Sequence, residues 1–582
     1  MISVNILKNL KGIDLTMMKK FKKFDSVNFY LALLFSIIIY PAINLSLAFV
    51  LKKLIDAGML GNINILKKYI LICLIVCIAL ALSLYLSDFT RSLFIKNVSA
   101  KYRKMIFTKI INSKFTDFTK TNTSNYISNL TTNAKSVEDN YIISYFKVLS
   151  NYSLLLFSLI GMFIINWKLS IGVIIICVLP LFIMGGMGKK IQNIQKEAFK
   201  HENKYISKIK DALSGFLVVK SFQIESQINN DLSTVNEKRA RSSYLMNKIN
   251  AFTTAISNFG GYLIFLVAYG LGMFMILNDE ITIGGVTAIV QLVNFIVMPM
   301  NILGVETNKM KTGESAAKEI DNLLDQIEDK ESNNSQKYIS SFSNSIQFEN
   351  VFFKYNDQDN YALKNLNVTF NKGKKYAIVG ASGSGKTTIF RLLLKYYNHY
   401  KGSIEIDNNS LNQLSIDSLY NLMNIVQQDV YIFEASLKYN ISLGEDFTDE
   451  EILDAIHLSG LDDLLDNNSL NMQLGEDGGL ISGGEKQRIS IARALIRKTP
   501  ILLMDEATSS LDQKTTFNIE NSILNVRDLT TLTITHKLNP ELLSKYDEII
   551  FLKNGTISEI GDYKTLMNNK QDFFNLIKAN NL

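Results

Sequence analysis

Residues 376–388 read YAIVGASGSGKTT. An apolar, strand-like run (376–380) ends in a glycine, a small-residue loop follows, and IFRLLLKYY (389–397) continues with helical spacing. Gly380, Gly385, Lys386 and Thr387 fit G-x-x-x-x-G-K-[ST] in the strand–loop–helix context that the motif requires. Glycine lets the backbone wrap closely around phosphate. Along Gly380, Ala381, Ser382, Gly383, Ser384 and Gly385, backbone N–H groups and a helix N-terminus face an anion. Lys386 neutralises charge on the β- and γ-phosphates, and Thr387, followed by Thr388, offers a hydroxyl to Mg²⁺. The stretch predicts an α/β nucleotide-binding domain built around it.

Downstream, ILLMDE (501–506) is a second strand ending in two acids. Asp505 at the strand end suits an Mg²⁺ contact, and Glu506, one residue on, is placed to polarise an attacking water. Between the two strands lies ISGGEKQRISIARAL (481–495), in which Ser482, Gly483 and Gly484 precede a helix. This is a second anion-binding helix N-terminus in one domain. One nucleotide does not need both on one subunit, so the second is best explained as serving the nucleotide of a partner.

Upstream, the composition changes. The chain has 582 residues, 47% of them hydrophobic, with a net charge of +7. Only 31 Gly and 5 Pro exclude a collagen-like chain, and ample apolar content excludes disorder. Three cysteines (Cys73, Cys77, Cys177) sit in apolar runs and read as buried or lipid-facing residues, not as a disulfide framework. Residues 1–328 carry six apolar segments near the roughly 20 residues that cross a bilayer, about 28–51, 67–90, 141–165, 169–188, 255–277 and 283–304. Residues 329–344 are a Ser- and Asn-rich linker, and 345–582 read as the soluble α/β domain.

Charge placement orients the spans. The N-terminus, the stretch after the second segment (Arg91 to Lys114) and the stretch after the fourth (Lys189 to Lys210) are rich in lysine, which predicts that they and the C-terminal domain are cytoplasmic. The first outer loop, with Lys52, Lys53, Lys67 and Lys68, is an exception for which headgroup snorkelling is the available account. The two inner stretches have helical spacing, so the spans are expected to continue far beyond the membrane. Residues 5–24 form a Lys-rich amphipathic stretch expected along the inner surface. Pro180 and Pro299 fall inside spans, Trp167 is an interfacial anchor, and Asp88 and Arg91 are spaced to pair on one helix face.

With these motifs in order, the chain resembles an exporter-type half-transporter of the ABC transporter superfamily: an all-α membrane domain of six spanning helices fused to an α/β P-loop NTPase domain of ABC type. The resemblance covers nearly the whole chain and implies roles residue by residue. Tyr355, in VFFKY, matches the aromatic that stacks on adenine; Gln428, in VQQD, the glutamine that reaches Mg²⁺ and couples to the membrane domain. Glu476 matches an acidic position before the signature, and Ser482, Gly483 and Gly484 match the signature itself. Glu506 matches the catalytic carboxylate; Ser510, Leu511 and Asp512 the loop crossing a dimer interface; and His536 the switch histidine at the γ-phosphate. In the membrane half, 124–138 and 215–225 are similar to the two cytoplasmic loops of exporters. The chain departs from the pattern at Ile481 and Glu485 (ISGGE for LSGGQ), at Val430 in place of a common proline, and at Ser124 in place of a glycine.

The resemblance implies ATP and Mg²⁺ as ligands, a homodimer or a heterodimer with a second half-transporter, residence in a bacterial cytoplasmic membrane, and no nucleic-acid partner. It implies ATP-driven export of a hydrophobic or amphipathic compound, lipid or peptide. A dedicated peptide exporter, an ATP-gated regulator of the same fold, and uptake are the alternatives; no ordered charge cluster in the spans picks out an ion.

Overall fold

The computed structural model describes residues 16–327, 337–355, 360–465 and 469–580, with the backbone path alone at 16, 177–192, 195–196, 257, 300–301 and 580. The N-terminal part of the expected amphipathic stretch (5–15) and the first half of the expected linker (329–336) lie outside the described residues, as do the side chains of Cys177 and Pro180. The chain divides into two compact units. One comprises Met1–Ser113 and Asp117–Asp329, the other Lys114–Thr116 and Lys330–Leu582.

Among its described residues the first unit is built of six long helices: α1 (Ser26–Met59), α2 (Ile63–Ile111), α3 (Thr123–Ile165), α4 (Trp167–Ser214), α5 (Glu225–Leu277) and α6 (Ile283–Asp325). Five of them are long and apolar enough to cross a membrane; of α4, the described apolar part is Trp167–Ile176. At about 1.5 Å per residue, the 49 residues of α2 reach about 74 Å, more than twice a hydrocarbon core. The helix therefore continues beyond the span, as its Lys-rich second half predicts.

The buried stripe of α2 changes character along its length. Ser83, Ser87 and Thr90 are buried where the helix is flanked by exposed Leu74, Ile75, Ile78 and Leu82. Further on, Phe94, Val98, Tyr102, Ile106 and Ile110 are buried and Lys96, Lys101 and Lys104 are exposed. The first half follows the rule for lipid, with small polar residues inside; the second follows the rule for water. Asp88 and Arg91 stand at the change and form the expected pair at 2.8 Å.

Two prolines act in different ways. Pro299 sits inside α6, which runs through it without interruption. Pro41 in α1 cannot donate to the carbonyl four residues back. The preceding residues, Leu34–Ile39, widen into a π-helical turn, and the carbonyl of Ile37 accepts a hydrogen bond from Ser153 of α3. The amphipathic stretch corrects an expectation. Its described part, a helix at Thr16–Lys22, buries Met17, Met18 and Phe21 against Tyr102 and Tyr141, so its apolar face is covered by protein. Lys20 then pairs with Asp321 of α6 at 2.9 Å. Phe21 has aromatic partners within reach, which bind an apolar face more specifically than lipid tails do.

Among the described residues the second unit holds ten strands: β1 (Ser345–Phe353), β2 (Leu363–Asn371), β3 (Lys375–Gly380), β4 (Lys401–Ile406), β5 (Asn409–Ser410), β6 (Met423–Val426), β7 (Ile501–Asp505), β8 (Thr530–Ile534), β9 (Glu548–Lys553) and β10 (Thr556–Gly561). An antiparallel sheet runs β2-β1-β4-β5. A second sheet runs β10-β9-β3-β8-β7-β6, parallel from β9 to β6. β3, β7 and β8 are buried throughout, as parallel strands covered on both faces are, although β8 (TTLTI) carries three buried threonines. Helix α7 (Lys386–Leu393) follows β3 and buries Ile389, Phe390, Leu392 and Leu393 in the core shared with the antiparallel sheet.

Candidate functional site

In an open parallel sheet, ligands bind beyond the carboxyl ends of the strands. Four neighbouring strands end here in register: Ile378 of β3 faces Ile534 of β8, Ile534 faces Asp505 of β7, and Val426 of β6 faces Met504 of β7. Within two residues of these strand ends stand the phosphate loop, His536, Glu506 and Gln428. The sheet thus collects onto one edge residues up to 156 positions apart in the chain, from Gly380 to His536.

The loop Gly380–Gly385 leads into α7. Gly385 holds φ +104°, and a Cβ there would lie 2.6 Å from the carbonyl of Ala362, so only glycine fits. Ala381, Ser382 and Gly383 are exposed; the Ser384 hydroxyl is buried without a hydrogen-bond partner. The buried Lys386 ammonium donates to the carbonyls of Gly380 and Ala381 at 2.8 and 2.9 Å. Burial pushes this lysine below its ordinary range, opposed by the nearby charges of Glu506 and Asp505.

Thr387 Oγ1 lies 3.4 Å from Asp505 Oδ1. Burial pushes the Asp505 carboxyl up, and the adjacent Glu506 charge adds to the shift while the Thr387 hydroxyl opposes it. A hydroxyl and a carboxylate side by side are hard oxygen donors of the kind Mg²⁺ takes, since that ion keeps water and phosphate as its other ligands. Among the described residues no group of three or more His, Cys, Asp or Glu side chains forms a closed metal cage.

Glu506 is gripped by both neighbours. The Gln428 amide donates to Oε2 at 2.9 Å, and His536 Nε2 lies 3.1 Å from Oε1. The glutamate itself has φ +50°, a left-handed conformation that costs a non-glycine residue roughly 1–3 kcal/mol. Its N–H is tied to the carbonyl of Ile534 at 3.0 Å. Such strain persists only where the surroundings hold it, and here it turns the carboxylate off the strand and toward Gln428 and His536.

Tyr355 stands beside the phosphate loop. Its hydroxyl is 3.0 Å from Thr388 Oγ1 and accepts from Arg391 at 3.2 Å, and its ring packs edge-on against Phe353 and Tyr397. The signature residues form a separate group. Ser482 caps helix α8 (Gly483–Leu495) in a closed capping box: Glu485 Oε2 accepts from the Ser482 N–H at 2.6 Å and hydroxyl at 2.7 Å, while the Glu485 N–H donates back to Ser482 Oγ. Among the described residues no hydrogen bond links Ser482, Gly483 or Gly484 to the phosphate loop. Asp512 accepts from the N–H groups of Lys514 and Thr515, capping helix α9 (Gln513–Leu524), and the Thr515 side chain together with these N–H groups holds its carboxyl below the usual range.

Two residues escaped the sequence reading. Gln487 of α8 is buried; its amide donates to Ser509 Oγ and its oxygen accepts from the Ser510 N–H, both at 2.9 Å. Lys537 donates to three oxygens of the segment after Glu506. Each is a lone polar residue with no spacing pattern, and only its position next to a motif could have drawn attention to it.

A multi-span helical unit joined to a unit carrying a phosphate loop, an acidic strand end and a glutamate held by glutamine and histidine defines a membrane protein coupled to nucleotide hydrolysis. Residues 27–300 match the model of the ABC transporter transmembrane region, and residues 363–509 match the model described as ABC transporter. The chain belongs to the ABC transporter superfamily, as an exporter-type half-transporter with ATPase activity. It is 28% identical over 536 residues to the ATP-dependent lipid A-core flippase of Wigglesworthia glossinidia brevipalpis, covering 89% of this chain and 90% of that protein. It is 26% identical over 537 residues to the protein of the same name from Escherichia coli strain K12, covering 91% of each. The fold is similar to a bacterial Atm1-family ABC exporter with ATP bound, at a TM-score of 0.80 and 23% identity, over 95% of this chain and 99% of that one.

Proposed function

We propose that the chain exports an amphipathic, lipid-like molecule by alternating access, as one half of a dimer that closes on ATP. The observation that carries the reading is the Glu506 carboxylate held by Gln428 and His536 at the same sheet edge as Lys386. In this reading Gly380 to Thr388 hold the phosphates, Tyr355 meets the adenine, and Lys386 balances the γ-phosphate charge. Thr387, Asp505 and Gln428 would hold Mg²⁺, which supplies charge neutralisation at the transferred phosphoryl group. Glu506 orients the water and takes up its proton, and His536 fixes the carboxylate and meets the γ-phosphate. Ser482, Gly483 and Gly484, with Asp512, serve the nucleotide held by the partner, because they form a second phosphate-ready helix end away from this chain's own loop.

The N-terminus, the extended halves of the helices and the nucleotide-binding unit lie on the cytoplasmic side of a bacterial membrane, following the lysine distribution. A lipid-like cargo is favoured by the names of the relatives. The test is turnover of the purified chain in lipid nanodiscs against a panel of lipids, hydrophobic drugs and amphipathic peptides, with Glu506→Gln alongside. Stimulation by lipids, and a Glu506→Gln turnover lower by roughly two to three orders of magnitude, is the expected result. Wild-type turnover of Glu506→Gln removes the assignment of the base; stimulation by peptides alone removes the lipid cargo.

A further inference from the structure

The segment after Glu506 is held from two sides. From α8 comes the Gln487 amide. From the other side comes Lys537, the residue after His536. Its ammonium donates to the carbonyls of Thr508 and Leu511, both at 2.6 Å, and to Thr516 Oγ1 at 2.7 Å. Three donors meet three acceptors, so the ammonium is fully used. Behind it lies a buried carboxylate, Glu520 (1% exposed), which accepts from Thr508 Oγ1 at 2.7 Å and Tyr546 Oη at 3.1 Å. Burial pushes the lysine down and the glutamate up, and the attraction between the two opposes both shifts.

The geometry explains why a cation stands here. Residues 506–511 form tight turns, with Ser509 N–H bonded to the Glu506 carbonyl and Leu511 N–H to the Thr508 carbonyl. The Thr508 and Leu511 carbonyls converge on one point; the Thr508 carbonyl already accepts from the Leu511 N–H, so an unfilled site would leave the Leu511 carbonyl without its partner and the turn without the cation that ties it to Thr516. His536 and Lys537 are neighbours whose side chains go opposite ways: the imidazole to Glu506, the ammonium beneath the turns that begin at Glu506. One short segment therefore holds the carboxylate from in front and its supporting loop from behind.

We infer that Lys537 is a positioning residue for hydrolysis, locking the 508–512 loop so that Glu506 keeps the strained conformation in which Gln428 and His536 reach it. This rests on the reading of Glu506 under Proposed function. All three donors of the Lys537 ammonium are spent on this loop and on Thr516, so it acts through Glu506, on turnover and not on nucleotide binding.

The test uses the full chain in nanodiscs. ATPase rates against ATP concentration, equilibrium binding of a fluorescent ATP analogue and thermal melting are measured for K537M, K537R and T516V. K537M is expected to lower kcat about ten-fold or more while KM and the analogue Kd stay within about two-fold. K537R, which keeps cationic donors, is expected to recover turnover to within about three-fold of the native rate, and T516V, which removes one acceptor, to fall between. A K537M kcat within about two-fold of the native value overturns the inference, as does a joint loss of binding and melting temperature that K537R does not reverse. Should K537M fail to fold, T516V decides: an unchanged kcat overturns the inference, and a reduced kcat at constant Kd supports it. Native turnover in E506Q identifies the base assignment as the failing part; a silent E506Q beside a normal K537M isolates the failure to Lys537.

Discussion

The two units place their polar groups by opposite rules. In the nucleotide-binding unit, the polar groups that matter sit at strand ends and on loops, in short contiguous motifs, over a core of buried apolar strands. In the membrane unit, polar groups are buried along helices among apolar side chains: Ser83, Ser87 and Thr90 in α2, Ser144 and Ser153 in α3, Glu306 in α6. A loop can present several groups to one ligand within ten residues. A helix presents one group per turn, and its partners come from distant helices. Chemistry is therefore concentrated in sequence in one unit and dispersed in the other.

Lys386→Ala is the largest expected effect and probes the concentrated unit. ATP affinity should fall by roughly two orders of magnitude, because the charge is aimed at phosphate from a buried position. Isothermal titration measures it; unchanged affinity would mean that the loop's N–H groups alone carry binding.

Asp505→Asn separates activity from stability within the same unit. ATPase should drop by roughly two orders of magnitude as the Mg²⁺ contact is lost. The nucleotide-free protein should melt higher at neutral pH, because burial raises the folded-state pKa of this carboxyl and makes its ionisation unfavourable. The sign follows from linkage: its stability contribution is present below the unfolded-state pKa and is lost as pH rises through the raised folded pKa. Melting scans from acid to neutral pH should show the variant gaining on the native chain as pH rises.

Glu306→Gln carries the comparison into the membrane unit. Glu306 is buried (5% exposed), accepts from Ser144 Oγ at 2.6 Å, and lies 3.1 and 3.6 Å from the half-exposed Lys309 and Lys147. Removing its charge should destabilise that unit by about 1–3 kcal/mol, less than a fully buried pair because the lysines reach solvent. A lower melting temperature at constant ATP affinity is the expected pattern; a matching loss of affinity would break the separation of the units. Ser153→Ala is the smallest, about 1 kcal/mol, since it orphans only the Ile37 carbonyl at the π-turn. Hydrogen exchange confined to residues 34–41 would report it.

The same contrast governs what the sequence discloses. Gly380 to Thr388, Asp505 and Glu506 are legible because each motif is short and its spacing follows from the shape of phosphate. That Gln428, Glu506 and His536 meet came from family resemblance and required the sheet to bring 428, 506 and 536 to one edge. Gln487 and Lys537 were not legible, being single polar residues bound to main-chain groups of a loop whose path depends on tertiary structure. In the membrane unit, apolar runs disclose helices but not partners. The Ser153–Ile37 bond joins residues 116 positions apart, and the site of Glu306 depends on the packing of α3 against α6. The amphipathic N-terminal stretch misled because its periodicity is the same whether lipid or protein covers the apolar face.

The change of character along α2 has a consequence for the host membrane. Within about three turns, between Ser83 and Phe94, the helix passes from greasy outside to greasy inside, with the Asp88–Arg91 pair at the crossing. Sliding α2 by a single turn, about 5.4 Å, would draw that ion pair into hydrocarbon or leave a ring of leucine and isoleucine in water. The helix thus carries a depth gauge, and bilayers of different thickness will meet it by stretching or thinning around a fixed mark.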